Sequence, residues 1–123
     1  MGQRFLIDSD VVIDYLKDTL QLAVINLMNR IVDDLLLLSV ITKIEVADFP
    51  AFGRLRMKFV DFATILNLNN SVVNQTINIR KSHKIKLGDA IIAATSIVNP
   101  LTLVTRNVYD FKKESLTILN TWK

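Results

Sequence analysis

The chain of 123 residues has no cysteine and a single histidine, His83. Without cysteine there can be no disulfide framework, no cysteine zinc site and no thiol nucleophile. One histidine cannot build a histidine-rich metal centre. Any metal ion that this protein binds must therefore be held by oxygen ligands.

Long apolar runs and a secretion signal are also missing from the sequence. The longest apolar stretch, residues 35–41, is interrupted by Ser39 and is far shorter than the roughly 20 residues of a membrane helix. The N-terminal residues lack an apolar run followed by a small-residue cleavage site. We therefore expect a cytoplasmic protein with no membrane segment.

The composition is that of one compact globular domain, 1–123. Half of the residues are hydrophobic and 22% are charged, and no linker, repeat or low-complexity tract interrupts them. The 15 Lys and Arg exceed the 12 Asp and Glu by three charges. This excess permits a nucleic-acid partner but is too small to prove one.

Short aliphatic segments with the composition of buried strands alternate with helical segments. Strands are expected at residues 4–7, 35–39, 101–105 and 116–119, and near 64–68. Helices are expected at residues 10–17, 21–31, 42–49, about 53–63, 70–82 and 89–98. This alternation indicates βαβ units and predicts an α/β sandwich with a central, mostly parallel sheet.

Acidic and polar residues follow the predicted strands, where parallel sheets bind their ligands. These residues are Asp8, Ser9 and Asp10 after the first strand, Thr42 and Glu45 after the second, and Thr105, Arg106, Asn107 and Asp110 after the third. Asp89 opens a helix of small and aliphatic residues that must be buried. Carboxylates gathered at one sheet edge need a cation, and oxygen ligands suit Mg²⁺ or Mn²⁺. Such an ion activates water for phosphodiester hydrolysis.

Each acid, taken alone, also has a purely structural interpretation. Asp8 or Asp10 can cap the first helix. The segment from Thr42 to Glu45 matches a capping box, and Asp89 in a first helical turn complements the helix dipole. The sequence leaves both interpretations open for each of these residues.

Four segments resemble, in order, the motifs of the PIN-domain family, and of its VapC toxins in particular. They are residues 5–10 (FLIDSD), 39–45 (SVITKIE), 86–95 (KLGDAIIAAT) and 103–111 (LVTRNVYDF). The resemblance implies a three-layer α/β/α sandwich on a parallel sheet. It further implies a homodimeric toxin that cleaves RNA by metal-activated water and is neutralised by a cognate antitoxin. By motif, Asp8, Glu45 and Asp89 would be the metal-binding carboxylates.

The sequence departs from the family pattern at three positions. Asp10 stands where the family usually has Asn, so it would add negative charge beside the metal or raise the pKa of a neighbour. Asn107 stands where many PIN domains have an acid. Either Asn107 supplies a neutral oxygen there, which we favour, or Asp110 substitutes for the acid. Gly88 replaces a common proline without removing the carboxylate of Asp89.

Basic residues offer contacts for RNA phosphates, which attract RNA without specifying its sequence. Arg106, Lys86 and Arg54 are the candidates, and a solvated charged surface is the alternative for each. Two other functions compete with the ribonuclease: a catalytically silent PIN-like module that binds RNA or protein, and a metal-dependent phosphatase or receiver-like domain. The receiver-like pattern lacks its usual late lysine here, and intact Asp8, Glu45 and Asp89 favour the enzyme.

Overall fold

The computed structural model describes residues 3–111 and 117–120, with only the backbone of Tyr109, Asp110 and Asn120. Its strands are β1 (Phe5–Ile7), β2 (Leu37–Ser39), β3 (Thr64–Leu66), β4 (Thr102–Thr105) and β5 (Thr117–Asn120). Its helices are α1 (Ser9–Lys17), α2 (Leu22–Asp34), α3 (Val40–Ala47), α4 (Arg54–Phe62), α5 (Asn70–Ser82), α6 (Leu87–Val98) and α7 (Val108–Phe111). None of the described helices combines the length and apolar character needed to span a membrane.

The five strands form one sheet in the order β3-β2-β1-β4-β5, and all described strand pairs are parallel. Both faces of the sheet are covered, as the alternation of side chains along each strand shows. Leu6 packs into a cluster with α5 and α6, whereas its neighbour Ile7 packs into a cluster with α1 and α2. The predicted α/β/α sandwich is therefore confirmed, with a sheet that is wholly parallel where it is described.

The strand order reverses between β1 and β4, and a parallel sheet is expected to form a crevice at the carboxyl ends of two such strands. From β1 the chain moves outward through β2 and β3, then returns to place β4 on the other side of β1. Helices leave the two neighbouring strands toward opposite faces, so the crevice opens between them. The backbone N–H of Asp8 donates to the carbonyl of Val104 at 2.9 Å, which ties the two strand ends together.

The starts of α3 and α6 each differ by two residues from the sequence prediction, and those of α1 and α2 by one residue. Helix α3 begins at Val40 rather than at Thr42, because Ser39 is its cap and the Ser39 hydroxyl accepts a hydrogen bond from the Thr42 N–H at 3.1 Å. Helix α6 begins at Leu87, so Asp89 lies inside its first turn. Helix α7 was not predicted, and the first residue of the predicted last strand, at position 116, lies outside the described residues.

Candidate active site at the strand ends

Asp8 lies at the centre of the crevice and is almost completely buried, with 5% of its surface exposed. It caps α1, as one of the structural interpretations predicts, and its Oδ1 accepts from the Ser9 N–H at 2.8 Å. Its Oδ2 accepts from the hydroxyl of Thr105, the last residue of β4, at 2.7 Å. Asp8 is thus a helix cap whose two oxygens are held from two separate strand ends.

Glu45 reaches the same region from α3, although its side chain is exposed. The Ser9 hydroxyl donates to Glu45 Oε1 at 2.6 Å and lies 3.2 Å from the Thr42 hydroxyl. Because Ser39 caps α3, the capping-box interpretation of Thr42 and Glu45 is wrong. Glu45 lies in the second turn of the helix, and its described contact is with Ser9, the residue that follows Asp8.

Asp10 and Asp14 lie one turn apart on α1, and both contact Arg106, which follows β4. Arg106 Nη1 donates to Asp14 Oδ1 at 3.0 Å and Oδ2 at 2.9 Å, while Nε lies 3.3 Å from Asp10 Oδ2. Asp10 Oδ1 is buried and makes no hydrogen bond within the described part of the chain. Asp14 was missed in the sequence analysis; its signal is the four-residue spacing from Asp10, which places both on one helix face.

Burial and neighbouring negative charge shift the titration of these acids. Burial, with the negative charge of Asp10 next in size and a smaller effect of Asp89, raises the pKa of Asp8 to about 7, although hydrogen bonds from Thr105 and Ser9 oppose the rise. Burial also raises the pKa of Asp10; the Arg106 guanidinium opposes this rise and Asp14 adds to it. The expected influence of Asp10 on a neighbour's pKa is therefore present, and Asp89 lies close enough to act on Asp8.

The remaining predicted site residues differ in burial and in position along the chain. Asp89 is half-buried in α6, and Asn107 is half-buried after β4, where its backbone N–H donates to the Thr105 hydroxyl at 2.9 Å. Lys86 and Arg54 are exposed, at the start of α6 and of α4. The Asp110 side chain lies outside the described residues.

The sequence matches the model of a known protein family. The model of the PIN domain matches residues 5–113. The chain belongs to the PIN domain family. The family resemblance of the four sequence segments is thereby confirmed, and the receiver-like alternative is wrong.

Solved structures share the fold of this PIN domain. FitAcB from Neisseria gonorrhoeae matches with a TM-score of 0.77 at 24% identity, over 96% of this chain and 98% of that one. A toxin-antitoxin complex from Klebsiella pneumoniae matches with 0.73 at 24% identity, over the same shares. VapBC2 from Rickettsia felis, bound to a DNA fragment from their promoter, matches with 0.75 at 16% identity, again over 96% and 98%. A search of curated proteins found no match.

The acids of this PIN domain fit a hard divalent cation, with Asp8 and Asp10 as the centre of the group. Among residues 3–111 and 117–120, no three acidic or histidine side chains lie together as a complete metal centre. Mg²⁺, however, is usually bound through one or two carboxylates and retains several waters. The raised pKa of Asp8 and the unpaired buried oxygen of Asp10 both indicate negative charge that a cation would stabilise.

The buried Asp8 gives the metal-free PIN domain an expected dependence of stability on pH. Its pKa is about 7 in the folded protein and about 4 in an unfolded chain, so folding favours the protonated carboxyl. The corresponding stability is fully present below about pH 4 and is lost as the pH rises toward about 7. We expect the melting temperature, measured with a chelator, to fall from about pH 4 and to level off between about pH 7 and pH 8.

Added Mg²⁺ should offset this fall most strongly at the upper end of the range, where Asp8 is ionised. A metal-free melting temperature that stays constant or rises across the range would contradict the assigned burial of Asp8.

Proposed function

We propose that this PIN domain is an endoribonuclease that requires Mg²⁺ or Mn²⁺ and acts at the carboxyl ends of β1 and β4. The observation that carries the proposal is the buried Asp8, whose ionised form is disfavoured by burial and by Asp10 and Asp89. A carboxylate group of this kind in a core crevice is costly to keep ionised without a cation. A site that binds a cation offsets the cost of ionising a buried carboxylate when the cation is bound.

Asp8, Glu45 and Asp89 are the proposed ligands, with Asn107 as a further oxygen donor. A bound ion of this class supplies an activated water and stabilises charge on the phosphoryl oxygen. The chain itself orients the ligands: Ser9 holds Glu45, and Thr105 holds Asp8. Thr105 also accepts from the Asn107 N–H, so one hydroxyl positions residues from both strand ends. These contacts fix the acids before an ion or RNA arrives.

We further infer that the protein is the toxin of a toxin-antitoxin pair and forms a homodimer with one domain in each subunit. The support is the family and the fold, since the Klebsiella pneumoniae structure of the same fold is a toxin-antitoxin complex. The four sequence segments that resemble VapC toxins point in the same direction. The antitoxin would be a separate protein that covers the crevice.

The alternative is a catalytically silent PIN domain that binds RNA or a protein. One observation favours it: Arg106 already neutralises part of the charge of Asp10 and Asp14, so an ion is not the only available counter-charge. Metal-dependent cleavage distinguishes the two functions.

The test incubates the purified protein with a labelled single-stranded RNA and measures cleavage by gel electrophoresis. We expect cleavage with Mg²⁺ or Mn²⁺ and none after exhaustive chelation, because uncompensated carboxylates repel the phosphodiester. The Asp89→Asn protein, which loses charge but little volume, serves as the control for contaminating nucleases and should be inactive. Cleavage that survives chelation would exclude the metal mechanism, and metal-dependent RNA binding without cleavage would favour the silent module.

A further inference from the structure

Arg106 crosses the crevice from the end of β4 to α1, where it meets two acids. Its Nη1 is held by both oxygens of Asp14, and its Nε faces Asp10 Oδ2. The Asp14 side chain is only 12% exposed, compared with 40% for Arg106. Asp14 is therefore the fixed end of the ion pair, and the guanidinium extends from it toward solvent.

The contacts of Arg106 do not use all of its donors. A guanidinium has five N–H groups; the described hydrogen bonds of Arg106 come from Nη1, and Nε lies at ion-pair distance from Asp10. Nη2 makes no hydrogen bond to any residue in the ranges 3–111 and 117–120. A planar guanidinium whose Nη1 is held by a carboxylate presents Nη2, on its outer edge, in a fixed direction, and such a donor suits a phosphate oxygen.

We propose that Asp14 is a positioning residue that holds Arg106 so that its outer edge binds a phosphate of the RNA substrate beside Asp8 and Asp10. The inference rests on the proposed ribonuclease function and assigns to that site a substrate contact with its own support. Arg106 contacts the substrate, whereas Asp14 acts through Arg106. The ion pair, in which Nη1 contacts both oxygens of Asp14, restricts the rotamers of a long side chain before the RNA arrives, which lowers the entropy cost of binding.

The sign of the expected effect separates positioning from simple electrostatics. Removing the charge of Asp14 makes the protein more positive, and long-range attraction to RNA should then strengthen. Loss of positioning has the opposite consequence, because a released Arg106 must be ordered again with each binding event. We therefore expect Asp14→Asn to weaken RNA binding although it removes a negative charge.

The matched control is Asp18→Asn, on the same helix. Asp18 is exposed at the C-cap of α1 with φ at 60°, a conformation that Asn accepts readily. This change removes the same charge without touching Arg106. For Arg106→Gln, the control is Arg80→Gln on the exposed surface of α5.

The experiment measures KM and kcat for a short single-stranded RNA with Mg²⁺, and the affinity of the same RNA for the inactive Asp89→Asn protein by fluorescence anisotropy. Relative to Asp18→Asn, we expect Asp14→Asn to raise KM and the dissociation constant about fivefold to tenfold, a fraction of what a charge-assisted contact contributes. The kcat should change by less than about twofold, since Asp14 does not contact the reacting atoms.

A double variant tests whether Asp14 acts through Arg106. Arg106→Gln should raise KM at least as much as Asp14→Asn does, and should lower the salt dependence of binding by about 0.7 in the logarithmic slope for one phosphate of single-stranded RNA. Adding Asp14→Asn to Arg106→Gln should then have no further effect. A further loss in the double variant would overturn the positioning role.

The outcomes separate this inference from the proposed function. If the wild-type protein cleaves RNA and Asp14→Asn matches Asp18→Asn in KM and affinity, positioning by Asp14 is wrong and the ribonuclease stands. If the wild-type protein does not cleave, the ribonuclease is wrong, and anisotropy alone decides the inference by the same comparison of the two variants. Thermal melting of every variant excludes a loss of folding as the cause.

Discussion

Asp8→Asn is expected to abolish RNA cleavage while raising the stability of the metal-free protein at about pH 8. Changes to outer contacts of metal ligands already cost about 10- to 100-fold, so the loss of a central ligand should exceed about 100-fold. Stability should rise because Asn carries no charge, and burial with Asp10 and Asp89 raises the pKa of Asp8 to about 7. We expect a gain of about 1–2 kcal/mol, less than the full pKa shift implies, because Asn keeps only one acceptor oxygen.

The opposite directions of activity and stability make this prediction specific. Chemical unfolding with a chelator measures the stability gain, which should shrink as the pH is lowered from about 7 and disappear below about pH 4, where Asp8 is protonated in both the folded and the unfolded protein. Asp18→Asn again serves as the control for the loss of one acidic charge. An Asp8→Asn protein that is less stable than wild type at the higher pH would show that Asp8 is mainly a helix cap.

Glu45→Gln is expected to lose most RNA cleavage with almost no change in melting temperature. The side chain is exposed, and a Gln oxygen can still accept from the Ser9 hydroxyl that now bonds Glu45 at 2.6 Å. What the substitution removes is the negative charge, so a strong loss of activity would identify Glu45 as part of the metal site. We expect a loss of about 100-fold or more, as for other groups that stabilise charge in active sites.

Ser39→Ala is the matched structural variant on the same helix. It removes the oxygen that caps α3 and should cost about 1 kcal/mol of stability, within a usual range of about 0.5–2 kcal/mol. Cleavage should remain, because the hydrogen bonds described for the Ser39 hydroxyl join it to Thr42 and not to Asp8 or Glu45. Full activity in Glu45→Gln would remove this residue from the proposed site.

The order and kind of the main elements could be predicted from the sequence because they depend on local composition. Continuous aliphatic runs such as residues 35–39 have few alternatives to a buried strand, and the predicted helix at residues 70–82 matches α5 residue for residue. The start of α3 was wrong because the sequence offers two hydroxyls, Ser39 and Thr42, as the cap. Ser39 is preferred once the strand that ends at this residue is in place.

The candidate site could be predicted only for residues that directly follow a strand, because that position tells at which edge of the sheet a residue lies. Asp8 follows β1 directly, so its place at the sheet edge follows from the parallel topology. Asp14 could not be selected in this way, because its importance depends on Arg106, 92 residues away in sequence. The effect of Asp10 on the pKa of Asp8 was predictable from charge alone. Its own ion pair with Arg106 needed the three-dimensional structure.

The hydrogen bond from Thr105 to Asp8 joins residues that are 97 positions apart. During synthesis β1, which directly precedes Asp8, is made before β4, which ends at Thr105. Until then the central strand lacks one neighbour, and Asp8 lacks the hydroxyl that orients it. If the protein is the ribonuclease proposed above, the growing chain would remain inactive until β4 has been made and Thr105 can bind Asp8.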